Sequence, residues 1–73
     1  ALFNALKAKR LELARAQNLP PYVIFHDKTL YEMAQRKPAD CDAMLEITGI
    51  GESKITRYGA HFLEVITGHD AFA

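Results

Sequence analysis

The sequence predicts an all-α fold: a compact bundle of about five short helices that contains one helical hairpin. Three observations lead there. Apolar residues recur at helical spacing through most of the chain. Prolines at 20, 21 and 38 cut that pattern into short lengths. The one segment of β-forming composition, Tyr22-Val23-Ile24-Phe25, finds no second segment to pair with, and a lone strand leaves its backbone groups unsatisfied. The 73 residues give room for one core. A domain of this size buries only roughly 60–65% of the surface its unfolded chain exposes, so a deep substrate cavity is not expected beside that core. The expectation is a single domain over residues 1–73, a binding or docking module excised from a larger protein. The missing Met at the start and the Ala71-Phe72-Ala73 end fit that reading.

The first helix is expected over residues 2–17, where Leu2, Phe3, Leu6, Leu13 and Ala14 form an apolar arc. Arg10 falls inside the arc, so its head must reach solvent or an acid while its stem packs on the core. Lys7 and Lys9 border the arc on opposite sides. Asn18 marks the helix end, and Pro20-Pro21 prevents continuation. Those prolines suit the first positions of a new helical turn, which would carry Val23, Ile24 and Phe25 as a core plug. Tyr22 has two readings. Its ring packs on the core and shows only the hydroxyl, or it stands out as a stacking surface.

Asp27 is expected to cap the third helix, with Thr29 and Glu32 as a rival capping box two residues later. Leu30, Met33 and Ala34 form its buried face, cationic Arg36-Lys37 ends it, and Pro38 stops it. Asp40 caps a fourth helix through Ala43, Met44 and Leu45, reaching to Glu46. The last helix is expected from about Glu52 to Thr67, with Ile55, Tyr58, Gly59, Phe62, Leu63 and Ile66 inward. Gly59 permits close packing of another helix, or a phosphate contact. Gly68 is expected just past the helix end with positive φ.

Between these helices lies Leu45-Glu46-Ile47-Thr48-Gly49-Ile50-Gly51, then Glu52-Ser53-Lys54-Ile55. This is a tight helical hairpin. Gly49 and Gly51 serve the turn alone, or they also leave amides open to a phosphate of a nucleic-acid backbone. Lys54, one turn later, would be a second ligand for such an anion. Lys54, Arg57 and His61 are spaced to share one helix face, which is a phosphate-binding face or an ordinary solvated one.

Net charge is zero, with nine basic and nine acidic residues, which excludes a strongly basic nucleic-acid binder. The charge is uneven, net +3 over residues 1–20 and net −3 over residues 41–73. A local positive patch remains open, with weak, salt-sensitive binding. Cys41 is the one cysteine, and the histidines at 26, 61 and 69 have no second soft ligand beside them, so no metal is expected. Cys41 reads as a small residue at a helix start. No carboxylate pair or activated serine suggests catalysis: Asp40 and Asp42 do not share a helix face, and Ser53 lies in a first helical turn. The Gly49–Lys54 run is too short for a nucleotide-binding loop. No apolar run approaches the ~20 residues that span a bilayer.

Together, Leu2-Phe3-x-x-Leu6 with Arg10 and Leu13-Ala14, Pro20-Pro21-Tyr22-Val23-Ile24-Phe25, Asp27-x-Thr29-Leu30, Met33-Ala34 with Lys37-Pro38, and Leu45-x-Ile47-x-Gly49-Ile50-Gly51-x-x-Lys54 with Tyr58-Gly59 resemble an HRDC domain, the helicase-and-RNaseD C-terminal module. The likeness is greatest to those of bacterial RecQ helicases. The resemblance implies an all-helical fold of about five helices and an auxiliary role. It implies weak recognition of single-stranded or branched DNA, helping to position substrate for a RecQ-like ATP-dependent DNA helicase. ATP and Mg would be used by other domains of that parent, and no cofactor by this one. It also implies a basic and aromatic DNA surface that includes Tyr22 and a hairpin at residues 45–55, with Lys54 at its basic position. The candidate DNA-binding set is therefore Tyr22, Lys54, Arg57, Gly49, Gly51, His61, Lys7 and Arg10. Neutral net charge departs from the many basic members. It keeps open a protein-docking or scaffold module of the same helicase, meeting its core or another protein, beside a substrate-positioning module of an RNaseD-like exonuclease. The expected setting is a monomeric domain in the bacterial cytoplasm, at the nucleoid through its parent, without membrane contact.

Overall fold

A computed structural model describes the backbone of residues 1–71 and the side chains through Gly68. The side chains of His69, Asp70 and Ala71, and the Phe72-Ala73 end, lie outside the described residues. Among the described residues every regular element is helical: α1 (Leu2–Gln17), α2 (Pro21–Ile24), α3 (Asp27–Arg36), α4 (Cys41–Leu45), α5 (Glu52–Lys54) and α6 (Ala60–Ala71). A π-helical segment, Ile55–Gly59, joins α5 to α6. The last three run on as one rod, so the bundle has five helices.

α1 is the hub and packs on α2, α3 and α6. Leu2, Leu6, Arg10 and Ala14 are its buried residues, one every four positions. Asn18 ends it in the left-handed region, at φ 57 and ψ 43, and Leu19 N–H returns to the Ala14 carbonyl at 2.9 Å. Pro20 then takes the N-cap position and Pro21 the first helical position of α2. Of the expected three-residue plug, Ile24 and Phe25 are buried and Val23 is not, being 36% exposed. A four-residue helix turns only part of its length inward, and Val23 falls on the outer side. Phe25 itself is extended, at φ −153 and ψ 148. Its ring meets Phe62 edge to face at 5.1 Å and Tyr58 at 6.4 Å.

α3 starts differently from the sequence expectation. His26 holds the N-cap position without a side-chain cap, and Asp27 is the first helical residue. The Asp27 carboxylate goes to Arg10 instead, and the buried Thr29 hydroxyl donates to the Thr48 carbonyl at 3.1 Å. Tertiary partners have displaced both local caps. Lys37 closes α3 with φ 48, ahead of buried Pro38. Asp40 does cap α4, its Oδ1 accepting from Ala43 N at 2.8 Å. Cys41 opens α4 and is exposed. Met44, Ile47 and Ile50 carry the core through the hairpin.

The last rod buries Tyr58, Gly59, Phe62 and Ile66, with Ile55 and Leu63 half-buried. A Cβ on Gly59 would stand 3.1 Å from Ile55 Cγ2 and 3.8 Å from Cys41 Sγ. The tight neighbour is therefore Ile55 of the same rod, and Cys41 of α4 stands at ordinary contact distance. Gly68 lies inside α6, and the positive-φ glycine is Gly49. The helix therefore runs past the expected stop, to Ala71. Tyr58 ties the last rod to the end of α1, its hydroxyl donating to Gln17 Oε1 at 3.0 Å.

Candidate nucleic-acid interface

The rigid proline step sets the direction of Tyr22. With Ile24 anchored in the core, Tyr22 points out of the bundle and is 61% exposed. Its ring is a surface, not a core filler. The His26 ring lies beside it at 6.1 Å between centroids, tilted by only 26°. Two nearly parallel rings thus form one platform. They border a shallow recess of about 480 Å³ whose other walls are Arg10, Pro21, Asp27 and Lys28.

Arg10 builds the floor of that recess. Its Nη1 donates to the Phe25 carbonyl at 2.9 Å, and its Nη2 pairs with Asp27 Oδ1 at 2.6 Å. Arg10 is 9% exposed, and its Nε has no partner. A bidentate grip on a buried carbonyl and a carboxylate is a strong fixed contact. The head of Arg10 therefore meets an acid, one of the two outcomes that its position in the apolar arc required. The hydrogen bond from Arg10 and its charge hold the Asp27 carboxyl below the ordinary carboxylate range, with smaller help from Lys7 and His26. Lys7 is exposed on α1, its Nζ 5.1 Å from the Phe3 ring centre.

Lys54 reaches the same place from the other end of the chain. Its Nζ donates to the Val23 carbonyl, next to Tyr22. The structure thus brings Lys54 and Arg10 onto the turn that carries Tyr22, while Lys7 lies over Phe3 on α1. The hairpin glycines differ in kind. Gly49 has φ +90, and a Cβ there would lie 2.6 Å from Thr29 Oγ1. Gly51 is extended at φ −105, with nothing within 4 Å of a Cβ. The turn needs Gly49 but not Gly51.

Arg57 and His61 stand apart from this cluster. Both are exposed. The π-helical segment puts an extra residue into the turn between Lys54 and His61, which breaks the shared face that regular spacing implies. His61 lies close enough to Glu12 to help lower its carboxyl, after the larger effect of Lys9 at 2.8 Å. Glu12 is roughly 200° around α1 from Arg10, so His61 stands on the far side of α1 from the recess. Sequence reasoning missed His26 and Lys28. His26 follows Tyr22 by four positions, but the break between α2 and α3 hides that relation.

Fold and side chains together define a small all-helical module. Among the described residues, no group of three or more His, Cys, Asp or Glu side chains is placed to hold a metal ion. Nor is any helix among them long and apolar enough to cross a membrane. The chain belongs to the HRDC domain family, which its residues 1–66 match. It is 43% identical over 70 residues to the ATP-dependent DNA helicase RecQ of Haemophilus influenzae, covering 96% of this chain and 11% of that helicase. It is also 43% identical over 67 residues to the ATP-dependent DNA helicase UvrD2 of Mycobacterium tuberculosis, covering 92% of this chain and 10% of that protein. Among solved structures it is similar to Deinococcus radiodurans RecQ HRDC domain 3, with a TM-score of 0.88 and 33% identity over 92% of this chain and 88% of that one. The chain spans about a tenth of the length of these curated relatives.

Proposed function

We propose that this HRDC domain is an auxiliary nucleic-acid-binding module of a RecQ-like ATP-dependent DNA helicase, and that it binds single-stranded or branched DNA weakly and helps to position it. The observation that carries this reading is the Tyr22 ring, exposed on a proline-fixed turn beside His26 and bordering a recess that Lys28 also lines. An unpaired base stacks on such a ring, and Lys54 and Lys7 are the cations proposed to hold phosphates of the strand. Zero net charge makes the affinity low and easily screened. ATP and Mg belong to other domains of the parent, which works in the bacterial cytoplasm at the nucleoid; the bacterial origin of the relatives supports that setting.

The test is single-strand binding at low salt. Tyr22→Ala loses roughly 5- to 150-fold in affinity, as expected for one base–aromatic stack, while Tyr22→Phe keeps it. Equal affinity of Tyr22→Ala and the parent domain removes Tyr22 from the site. Neutral charge favours a second reading, a docking module for the core of the same helicase. That reading stands if the domain binds neither single-stranded nor branched DNA at low salt but binds the isolated core.

A further inference from the structure

The recess under Tyr22 does not end at Lys28. Asp27 and Lys28 are also walls of a larger groove of about 1190 Å³ that runs along α3 against the start of α1. Its floor is aromatic. Tyr31 is 49% exposed and meets Phe3 edge to face, at 5.9 Å and 66°. The phenolic oxygen of Tyr31 accepts from Gln35 Nε2 at 3.1 Å. The Tyr31 ring is therefore braced from two sides while half its surface stays open. A braced ring loses little side-chain freedom when a ligand lands on it.

The charges along this groove favour a polyanion. Lys28, Arg36 and Lys37 stand against Asp27 and Glu32. Asp27 is held by Arg10, from outside the groove, at 2.6 Å, and Glu32 and Arg36 pair with each other at 3.2 Å, so the balance of the groove is positive. Lys28 stands where the two hollows meet. Continuity with the Tyr22 platform, cations along the rim and a second open ring are together what an unpaired strand requires.

We propose that the α3 groove is the second half of a single-strand path. A strand leaving the Tyr22–His26 platform crosses Lys28, stacks a further base on Tyr31 and continues toward Arg36 and Lys37. The inference rests on the reading of Tyr22 as a base platform and extends it to the length of the bound strand.

The experiment is a fluorescence titration with oligothymidines of about four to about sixteen nucleotides at low salt. Tyr22→Ala weakens every length. Tyr31→Ala weakens only the longer ones, by roughly 5- to 150-fold, and Tyr31→Phe restores them. Lys28→Ala lowers the salt slope on long strands by about 0.7, one phosphate contact. In the unsubstituted domain, the Tyr31 ring resonances shift with long oligonucleotides and not with short ones, a readout that does not depend on a variant folding. If Tyr22→Ala is weakened while Tyr31→Ala and Lys28→Ala bind all lengths normally, the path is overturned and the platform stands. If the unsubstituted domain binds no length, the DNA reading itself fails. Displacement of long strands by an acidic peptide that shifts the Tyr31 ring but leaves Tyr22 unmoved assigns the groove to protein and overturns the path.

Discussion

Gly49→Ala tests how the hairpin is fastened to the bundle. The substitution acts twice. An alanine at φ +90 sits in the left-handed half of conformational space, a strain of about 1–2 kcal/mol. Its Cβ would also lie 2.6 Å from Thr29 Oγ1. That contact pushes away the hydroxyl that donates to the Thr48 carbonyl, losing about 1 kcal/mol more. The expected total is about 2–3 kcal/mol, out of a stability of about 4–11 kcal/mol for a domain of this length. The melting temperature should fall by roughly 8–24 °C. Urea unfolding followed by circular dichroism measures the free energy directly. In a Thr29→Ala background the crowding is gone and only the backbone strain remains. The two substitutions should then be less than additive, by about 1 kcal/mol. Gly51→Ala is the control, with an ordinary φ and open space, and should stay within about 0.5 kcal/mol. Strict additivity of the pair, or a Gly49→Ala variant as stable as the parent, refutes the reasoning.

Phe25→Ala removes a ring buried between Tyr58 and Phe62 and should cost about 3–5 kcal/mol in the same assay; a loss under 1 kcal/mol would contradict its place in the core. Lys54→Ala should weaken single-strand binding. Because Lys54 also donates to the Val23 carbonyl, it should cost about 0.5–1.5 kcal/mol of stability as well, more than a simple surface lysine. Asp27 links stability to acid. Its folded carboxyl titrates below the ordinary value because of Arg10, so the stabilisation is present above the unfolded pKa of about 3.9 and is lost as pH falls through the folded value. The gap in urea midpoint between the parent and Asp27→Asn should therefore be full near neutrality and close well below pH ~4; a gap that stays constant into acid would rule out the Arg10–Asp27 linkage.

Legibility in the sequence followed the range of the forces involved. Helix class, the breaks at Pro20-Pro21 and Pro38, and the Asp40 cap are local, and they stand where spacing and residue chemistry put them. The start of α3 did not, because Asp27 and Thr29 have tertiary partners, Arg10 and Thr48, that outcompete a neighbouring amide. Val23 was misplaced because an apolar run of three looks uniformly buried, whereas a single helical turn turns one of its members outward. For the candidate site, the prominence of Tyr22 and the basic Lys54 were visible as residues. Their meeting was not, since 31 positions separate Lys54 from Val23. The stacked partner His26 stayed hidden behind a helix break. The supposed face of Lys54, Arg57 and His61 assumed a regular helix that the Ile55–Gly59 segment interrupts.

The short helix that displays Tyr22 is held by its carbonyls. Four residues cannot sustain a helix alone, and the last carbonyls of any helix lack partners within it. Here Lys54 takes the Val23 oxygen and Arg10 takes the Phe25 oxygen, one cation from each of two other helices. The C-terminal end of this turn is therefore tied to both of those helices. A ring mounted in this way works as a rigid handle. Whatever grips it grips the domain, because a force on the turn passes through Arg10 into α1 and through Lys54 into the last helix.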